Sequence, residues 1–521
     1  MDVTDVTATA FASIPDLIRQ HATTQAQHIA LIEDGDSGVM RIDYATLDRR
    51  MDAVAAHLQG EGIEAGDTVA VCAPNSIALA LLFLGCLRAG AVIAPLSPSS
   101  TPESLAKMRA DSGAKLFFDE GDLRAIDSWP DATPRSVDIG PESPFNIIYS
   151  SGTTGEPKGI VHPHVMRWTH IQRAVRTGYG PEAITLVSTP LYSNTTLVSF
   201  IPTIALGGTA ILMAKFDVVK FLELSEKHRV THAMLVPVQY RRFMAHPDFD
   251  RYDLSSFRVK TATSAPFAAA LKAEVVRRWP GRLVDTYGLT EGGGTCILDC
   301  NAHPDKLHTV GVPVTGHDIR LIDDDGREIS RTGHPDAAGE VVGHSPGLMI
   351  GYRNRPDLTR AAEWFDPSGK RFIRTGDMGR FDADGFLTLV DRKKDMIISG
   401  GFNIYPSDLE AVLLTHPEVA DASVIGVPSD EWGETPVAFV VMRDADGDAG
   451  SPTDGNADGN AASDAQTLRE WVNARLGKTQ RIARIECVDA LPRSPIGKVL
   501  KRELRERYLL ECSNETKGAR R

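Results

Sequence analysis

The sequence predicts an α/β protein: a large N-terminal domain of two parallel-sheet α/β subdomains plus a β-rich subdomain, followed by a small mobile α+β C-terminal domain. Three observations predict it. At 521 residues the chain is too long for one hydrophobic core. Apolar strands alternate with helical patterns over residues 68–96 and again over 185–286, the grammar of a parallel sheet. From about Val310 short strands are broken by Gly, Asp and Pro, and Asp391-Arg-Lys-Lys-Asp395 then forms a charged join. The boundaries expected are 1–391 for the large domain, 392–395 for a hinge and 396–521 for the small domain.

Residues 1–10 are small and polar and are expected to fray. Leu47, Met51, Val54, Ala55 and Leu58 recur at helical spacing within Tyr44 to Leu58. Thr68 to Cys72 reads as a strand, Ile77 to Leu87 as a buried helix capped by Asn75 or Ser76, and Ala91 to Leu96 as the next strand. The apolar helix is well short of the roughly 20 residues that span a bilayer. Leu116 to Asp119 and Phe145 to Tyr149 extend the first sheet, and Val165 to Thr177 is a helix. In the second block, strands are expected at 185–188, 210–213, 233–236 and 283–286, and helices at 218–228 and 268–278. The β-rich stretch carries strands at 319–322, 339–342, 372–374 and 386–389. The last domain opens with Met396 to Ser399 and the turn Gly400-Gly401, followed by a helix over 406–414, strands near 422–426 and 437–441, and a helix face of Leu468, Trp471, Val472 and Leu476. Asp444 to Asp464 has almost nothing to bury and is expected to be a mobile acidic loop. Ser513 to Arg521 reads as a loose basic tail.

Composition is that of a soluble globular protein, with 42% hydrophobic and 24% charged residues. A net charge of −13 argues against nucleic acid or an anionic membrane surface as a general partner. Six scattered cysteines and a start without a basic, apolar leader point to a reduced cytoplasmic chain, with no stable membrane insertion. Cys296, Cys300, His303 and His308 are too closely spaced for a zinc finger.

The chemistry concentrates in Tyr149-Ser150-Ser151-Gly152-Thr153-Thr154-Gly155-Glu156-Pro157-Lys158-Gly159. Glycines allow a tight turn and a close backbone approach, while hydroxyls, loop N–H groups and an ammonium suit polyphosphate. The spacing is not Walker A. Tyr287-Gly-Leu-Thr-Glu291 follows a strand, where a parallel sheet opens its ligand crevice. Thr375-Gly-Asp377 offers a carboxylate that can accept from a diol. Pro492-Arg-Ser-Pro-Ile-Gly-Lys498 sets a lysine beside a freely turning glycine.

Together these strings resemble the adenylate-forming superfamily of acyl-CoA synthetases, aryl-CoA ligases, luciferases and peptide-synthetase adenylation domains, over nearly the whole chain. The resemblance implies MgATP and coenzyme A (CoA) as cosubstrates and a small carboxylic acid as substrate. It implies that Ser150 to Gly155 and Lys158 hold phosphate. It also implies that Tyr287 stacks near adenine, that Thr286 belongs to the same ATP site, that Thr290 touches the α-phosphate and that Glu291 holds Mg²⁺, as a hard ion requires. Thr263-Ser264-Ala265-Pro266 stands where the family has Gly-Gly-Ala-Pro, so Ser264 and Ala265 become the adenine wall with two letters changed. Asp377 and Arg392 are the implied ribose contacts, Lys394 the hinge residue and Lys498 the catalytic cation. Gly400 and Gly401 would line a pantetheine tunnel, with Lys478 and Arg481 as candidates for the CoA phosphates and Trp432 as a weaker candidate contact.

The acyl pocket is expected from Tyr192, Ser193, Asn194, Thr195, Gly288, Gly292 and Gly293. Many relatives place His after Pro-Leu-aromatic. Here Ser193-Asn194-Thr195 follows Tyr192 and leaves small polar groups, which suggests room for a branched, cyclic, aromatic or longer acyl group. The aspartate that pairs with an α-amino group in amino-acid-activating relatives is absent from this stretch. The expected activity is an acid–CoA ligase that forms acyl-AMP and pyrophosphate and then a thioester, with rotation of the small domain between steps. The alternatives are loading of a carrier-protein thiol and a non-catalytic nucleotide-binding protein. A homodimer is left open.

Overall fold

The computed structural model describes residues 6, 8–35, 38–150, 158–330, 337–392, 395–399, 402–429, 432–443, 460–477, 480–494 and 498–518, the side chains of 150, 392, 398, 402, 403, 460–464 and 512–518 excepted. The chain forms two compact units, one of Met1–Arg320 with Val342–Thr375 and one of Leu321–Val341 with Gly376–Arg521.

The first unit is built on two sheets. A nine-stranded sheet has six parallel strands in its middle, in the order Arg282–Gly288, Val259–Ala262, His232–Leu235, Ile184–Val187, Thr209–Leu212 and Ile29–Gly35. Antiparallel strands flank it: Thr295–Asp299 and Val312–Pro313 at one end, Gly38–Asp43 at the other. A six-stranded sheet runs Gly351–Tyr352, Lys158–Pro163, Pro144–Ser150, Val92–Leu96, Thr68–Cys72, Leu116–Asp119. The helix Ile77–Arg88, whose N-terminus is closed by Ser76 Oγ accepting from the Leu79 N–H at 3.1 Å, is buried along its length. It shares one core cluster with Val69 and Val71 of the smaller sheet and with Leu31, Ala210 and Leu212 of the larger. A helix apolar on every face has no other stable place.

The second unit pairs strands in the order Phe402–Ile404, Ile397–Ser399, Gly433–Met442, Val419–Ser429, with Arg484–Cys487 parallel to Gly433–Met442. Successive side chains alternate between two cores. Val424, Ala438 and Val440 join Leu409, Leu413, Leu468 and Val472, while Ile425, Val437 and Phe439 join Leu491 and Leu504. Helices Pro406–Leu413 and Asn460–Asn473 contribute to the first face and helix Lys501–Gly518 to the second.

Several expectations are corrected here. Of the segment expected to fray, residues 1–5 and 7 lie outside the described residues, while Val6 is 2% exposed and the Gln172 amide donates to the Thr9 carbonyl at 3.1 Å. The expected acidic loop ends sooner, because the helix starts at Asn460; residues 444–459 lie outside the described residues. The expected loose tail is helical through Gly518. A helix Asn194–Ala205 occupies the stretch read as pocket mouth. Its threonines, Val198 and internal Pro202 are poor helix formers, so the helix is held by packing, with Leu197, Phe200, Ile201 and Ile204 fully buried.

Candidate functional site

In the first unit, strands Pro144–Ser150 and Lys158–Pro163 pair antiparallel and close at Ser150 opposite Lys158. The connection 151–157, with Ser151, Gly152, Thr153, Thr154 and Gly155, lies outside the described residues. Lys158 is placed by this register, and its ammonium stands 5.6 Å from the centre of the Tyr352 ring. The Tyr352 hydroxyl donates to Glu291 Oε1 at 2.8 Å. Burial, reinforced by the Glu291 charge, raises Tyr352 far above the usual phenol range, so it stays a donor. Cation, ring and carboxylate therefore form a row of three: Lys158, Tyr352, Glu291.

The segment bearing Glu291 is pinned on both sides. The Met349 N–H donates to the Glu291 carbonyl at 3.0 Å. His162 Nε2 lies 2.8 Å from the Thr290 carbonyl. A carbonyl only accepts, so Nε2 carries the proton and Nδ1 accepts from Arg167 at 2.8 Å. Burial, then the neighbouring Arg167 charge, holds His162 well below the usual histidine range and keeps the ring neutral.

Tyr287 and Gly288 end the strand Arg282–Gly288, opposite Cys296 and Thr295. This strand is anchored from beneath: Lys272 pairs with Asp285 at 2.7 Å and donates to the carbonyls of Leu307 and Thr309, both at 3.0 Å. Ser264 is exposed and has φ of 79°, in the left-handed region that favours glycine. That conformation explains why glycine suits this place, and a serine there carries about 1–2 kcal/mol of strain. Its Oγ is 2.6 Å from Thr195 Oγ1. Ala265, Thr286, Tyr192 and Ser193 are half-buried nearby in sequence to these contacts, and Asn194 Oδ1 accepts from Arg167 at 2.8 Å.

The glycines after Glu291 do not leave open space. A Cβ on Gly292 would lie 2.3 Å from the Gly347 carbonyl oxygen and 2.7 Å from the Met166 methyl, and one on Gly293 would lie 2.8 Å from Ile373 Cβ. Gly292, with φ of 77°, and Gly293 let the chain pack on itself. Gly292 and Gly293, expected above among the acyl-pocket residues, therefore offer no side-chain-sized space there.

In the second unit, Asp377 and Arg392 are direct partners across an antiparallel pair, so their backbones meet; Asp377 is 6% exposed. Lys498 is half-buried at the foot of a turn, where the Ser494 N–H donates to the Lys498 carbonyl at 2.8 Å. Arg481 and Trp432 are exposed. Lys394, Gly400, Gly401 and Lys478 lie outside the described residues.

Sequence reasoning missed Tyr352, His162, Arg167 and Asn146. Two signals were present: a lone asparagine inside the apolar run Phe145-Asn-Ile-Ile148, and an arginine on the inner face of the following helix. Buried polar groups need partners, so each one implied the other.

Residues 18–353 match the family model described as AMP-binding enzyme, and residues 408–498 match the AMP-binding enzyme C-terminal domain. The chain is 34% identical over 497 residues to a feruloyl-CoA synthase of Amycolatopsis sp, covering 90% of this chain and 95% of the relative. It is 30% identical over 504 residues to the fatty acid–[acyl-carrier-protein] ligase ScoC of Streptomyces coeruleorubidus, covering 90% and 92%. The solved structure of MatB from Rhodopseudomonas palustris with ATP bound is 27% identical, covers 95% of this chain and 99% of its own, and superposes with a TM-score of 0.80.

Proposed function

Because the chain belongs to the AMP-binding enzyme family, we propose that it is a carboxylic acid–CoA ligase: it activates an acid with MgATP to acyl-AMP and pyrophosphate, then passes the acyl group to CoA. The observation that carries the reading is the row Lys158–Tyr352–Glu291, a carboxylate held at one oxygen by a neutral phenol with a lysine close by. Such an arrangement leaves Glu291 an oxygen for a hard cation and Lys158 a charge for phosphate. Glu291 fits Mg²⁺, which takes one or two carboxylates plus phosphate oxygens and neutralises phosphate charge when bound.

In this reading Ser150, Ser151, Gly152, Thr153, Thr154, Gly155 and Lys158 bind phosphate, and Ser264, Ala265, Thr286 and Tyr287 flank adenine. Thr290 meets the α-phosphate, and Asp377 with Arg392 takes the ribose hydroxyls. A carboxylate is a poor electrophile because its leaving group would be oxide. Its attack on the α-phosphate needs positioning and charge neutralisation above all. Lys498 bridges the two anions; two charges about 4 Å apart at an effective dielectric near 20 interact by roughly 4 kcal/mol, or about a thousandfold in rate. The thiol then attacks the acyl carbon and AMP leaves. Residues 392–395, with Lys394, serve as the hinge on which the small domain turns between the half-reactions, exchanging Lys498 for Gly400 and Gly401. Lys478 and Arg481 hold the CoA phosphates. Tyr192 to Thr195 form the acyl pocket wall.

A second acceptor, a carrier-protein thiol, is favoured by the similarity to the Streptomyces coeruleorubidus ligase. Pyrophosphate release from MgATP across a panel of carboxylic acids, with and without CoA, tests both. A ligase releases pyrophosphate with a subset of acids and forms thioester when CoA is added, and Lys498→Ala loses the first step by about a thousandfold. Acid-dependent ATP–pyrophosphate exchange without CoA acylation assigns the thiol to a carrier. No exchange with any acid overturns the enzyme reading.

A further inference from the structure

Arg167 is fully buried, and among the described residues no carboxylate meets it. Its N–H groups go to neutral acceptors: Asn194 Oδ1 at 2.8 Å, Asn146 Oδ1 at 3.0 Å, His162 Nδ1 at 2.8 Å and, at the limit, His170 Nδ1 at 3.5 Å. Nε has no partner, and the guanidinium stands 5.3 Å from the Phe145 ring centre. A guanidinium keeps its proton in proteins, so this is a buried charge without a counter-charge. An aspartate in place of Asn194 would neutralise it at the same size. The chain has an amide instead.

The amide differs from a carboxylate in one respect that matters to a ligand. Its two ends are unlike. The guanidinium can only donate, so it takes Oδ1 and turns the Nδ2 group the other way. No described protein group accepts from Nδ2, and Asn194 is half-buried rather than sealed. A cation behind the carbonyl end polarises the amide and strengthens its N–H groups as donors. Asn194 also opens the helix whose next residue, Thr195, contacts Ser264 at 2.6 Å. This is the stretch assigned above to the acyl pocket, and the inference rests on that assignment.

We propose that Asn194 is a specificity-determining amide donor, locked in orientation by the positioning residue Arg167. It selects acids that carry a hydrogen-bond-accepting oxygen away from the reacting carboxyl group. Hydroxyl, alkoxy, carbonyl and carboxylate oxygens share this chemistry. An acid with only hydrogen there leaves the donor unmatched inside the pocket, which lowers its use by about tenfold or more.

The test uses the full-length enzyme and matched acid pairs, each differing by one oxygen function: arylpropenoic acids with and without a ring hydroxyl or methoxy group, and alkanoic acids with and without a terminal carboxylate. Acid-dependent pyrophosphate release gives kcat and KM for the wild type and for Asn194→Asp, which keeps the size, supplies Arg167 with a counter-charge and removes the donor. The expected result is a preference of about tenfold or more for the oxygen-bearing member in at least one pair. In Asn194→Asp that ratio falls to near one through the KM of the oxygen-bearing acid, with a melting temperature at or above that of the wild type. The pair that discriminates identifies the oxygen. Equal use of both members of every pair by the wild type, or a ratio that survives in Asn194→Asp, overturns the proposal while the ligase reading stands. No pyrophosphate release with any acid overturns both.

Discussion

Tyr352 lies outside every sequence motif, yet it is the residue that holds Glu291. Tyr352→Phe keeps the ring near Lys158 and removes the one hydrogen bond from the hydroxyl to Glu291 Oε1. A neutral donor on a charged acceptor contributes about 1.5–3 kcal/mol. The expected outcome is a KM for MgATP raised about tenfold or more, with the fold intact and the affinity for the acid little changed. Steady-state kinetics with ATP and acid varied separately checks it. The residue scale also shows what a motif hides. Glu291 and Thr290 are legible as letters. The neutral histidine that clasps the Thr290 carbonyl is not, because its position depends on two strands and a helix meeting across more than a hundred residues of chain.

Among the elements, the strand Arg282–Gly288 shows how the site is supported. Its buried Asp285 faces Lys272, which is itself 2% exposed and satisfied by two carbonyls. Burial raises the Asp285 carboxyl even against that ammonium. Removing one partner leaves the other charge buried and alone, so Lys272→Ala is expected to destabilise the first unit by about 3–5 kcal/mol. A fall in the urea midpoint, followed with a probe in that unit, is the measurement. The same scale separates what sequence pattern reveals from what it cannot. Ile77–Arg88 and the parallel strands are legible because apolar runs and their caps are local signals. The helix Asn194–Ala205 is not, because threonine, valine and an internal proline speak against a helix that only its neighbours impose. The pairing of Asp377 with Arg392 is a matter of register, and register across a sheet is fixed by the whole ladder rather than by either residue.

For the molecule as a whole, acid sensitivity follows from its histidines. Burial is the main cause that lowers His21, His162, His164, His170, His232 and His317, bringing His164, His232 and His317 to about 4. All six belong to the first unit. The sign is fixed by which state takes the proton. The folded rings stay neutral while the unfolded chain protonates near pH 6.5, so their contribution is complete above that pH and is lost as pH falls towards 4. One such ring costs about 2 kcal/mol by pH 5. The apparent melting temperature of the first unit is therefore expected to drop steeply between pH 6.5 and 5, as seen by circular dichroism across buffers of constant ionic strength. The burial of these rings could not be read from sequence, since it depends on the packed interior, whereas Asn146 and Arg167 each left a local sign and only their meeting had to come from the fold.

The apolar helix Ile77–Arg88 has a practical corollary. Its walls come from strands on either side of it in the chain, in both sheets. A polypeptide cut between the two sheets would strand a bare greasy cylinder on one fragment and an uncovered seat on the other. The first unit is thus a poor subject for fragment-complementation reporters, and a genetic split or a circular permutation will succeed only where it spares that shared wall.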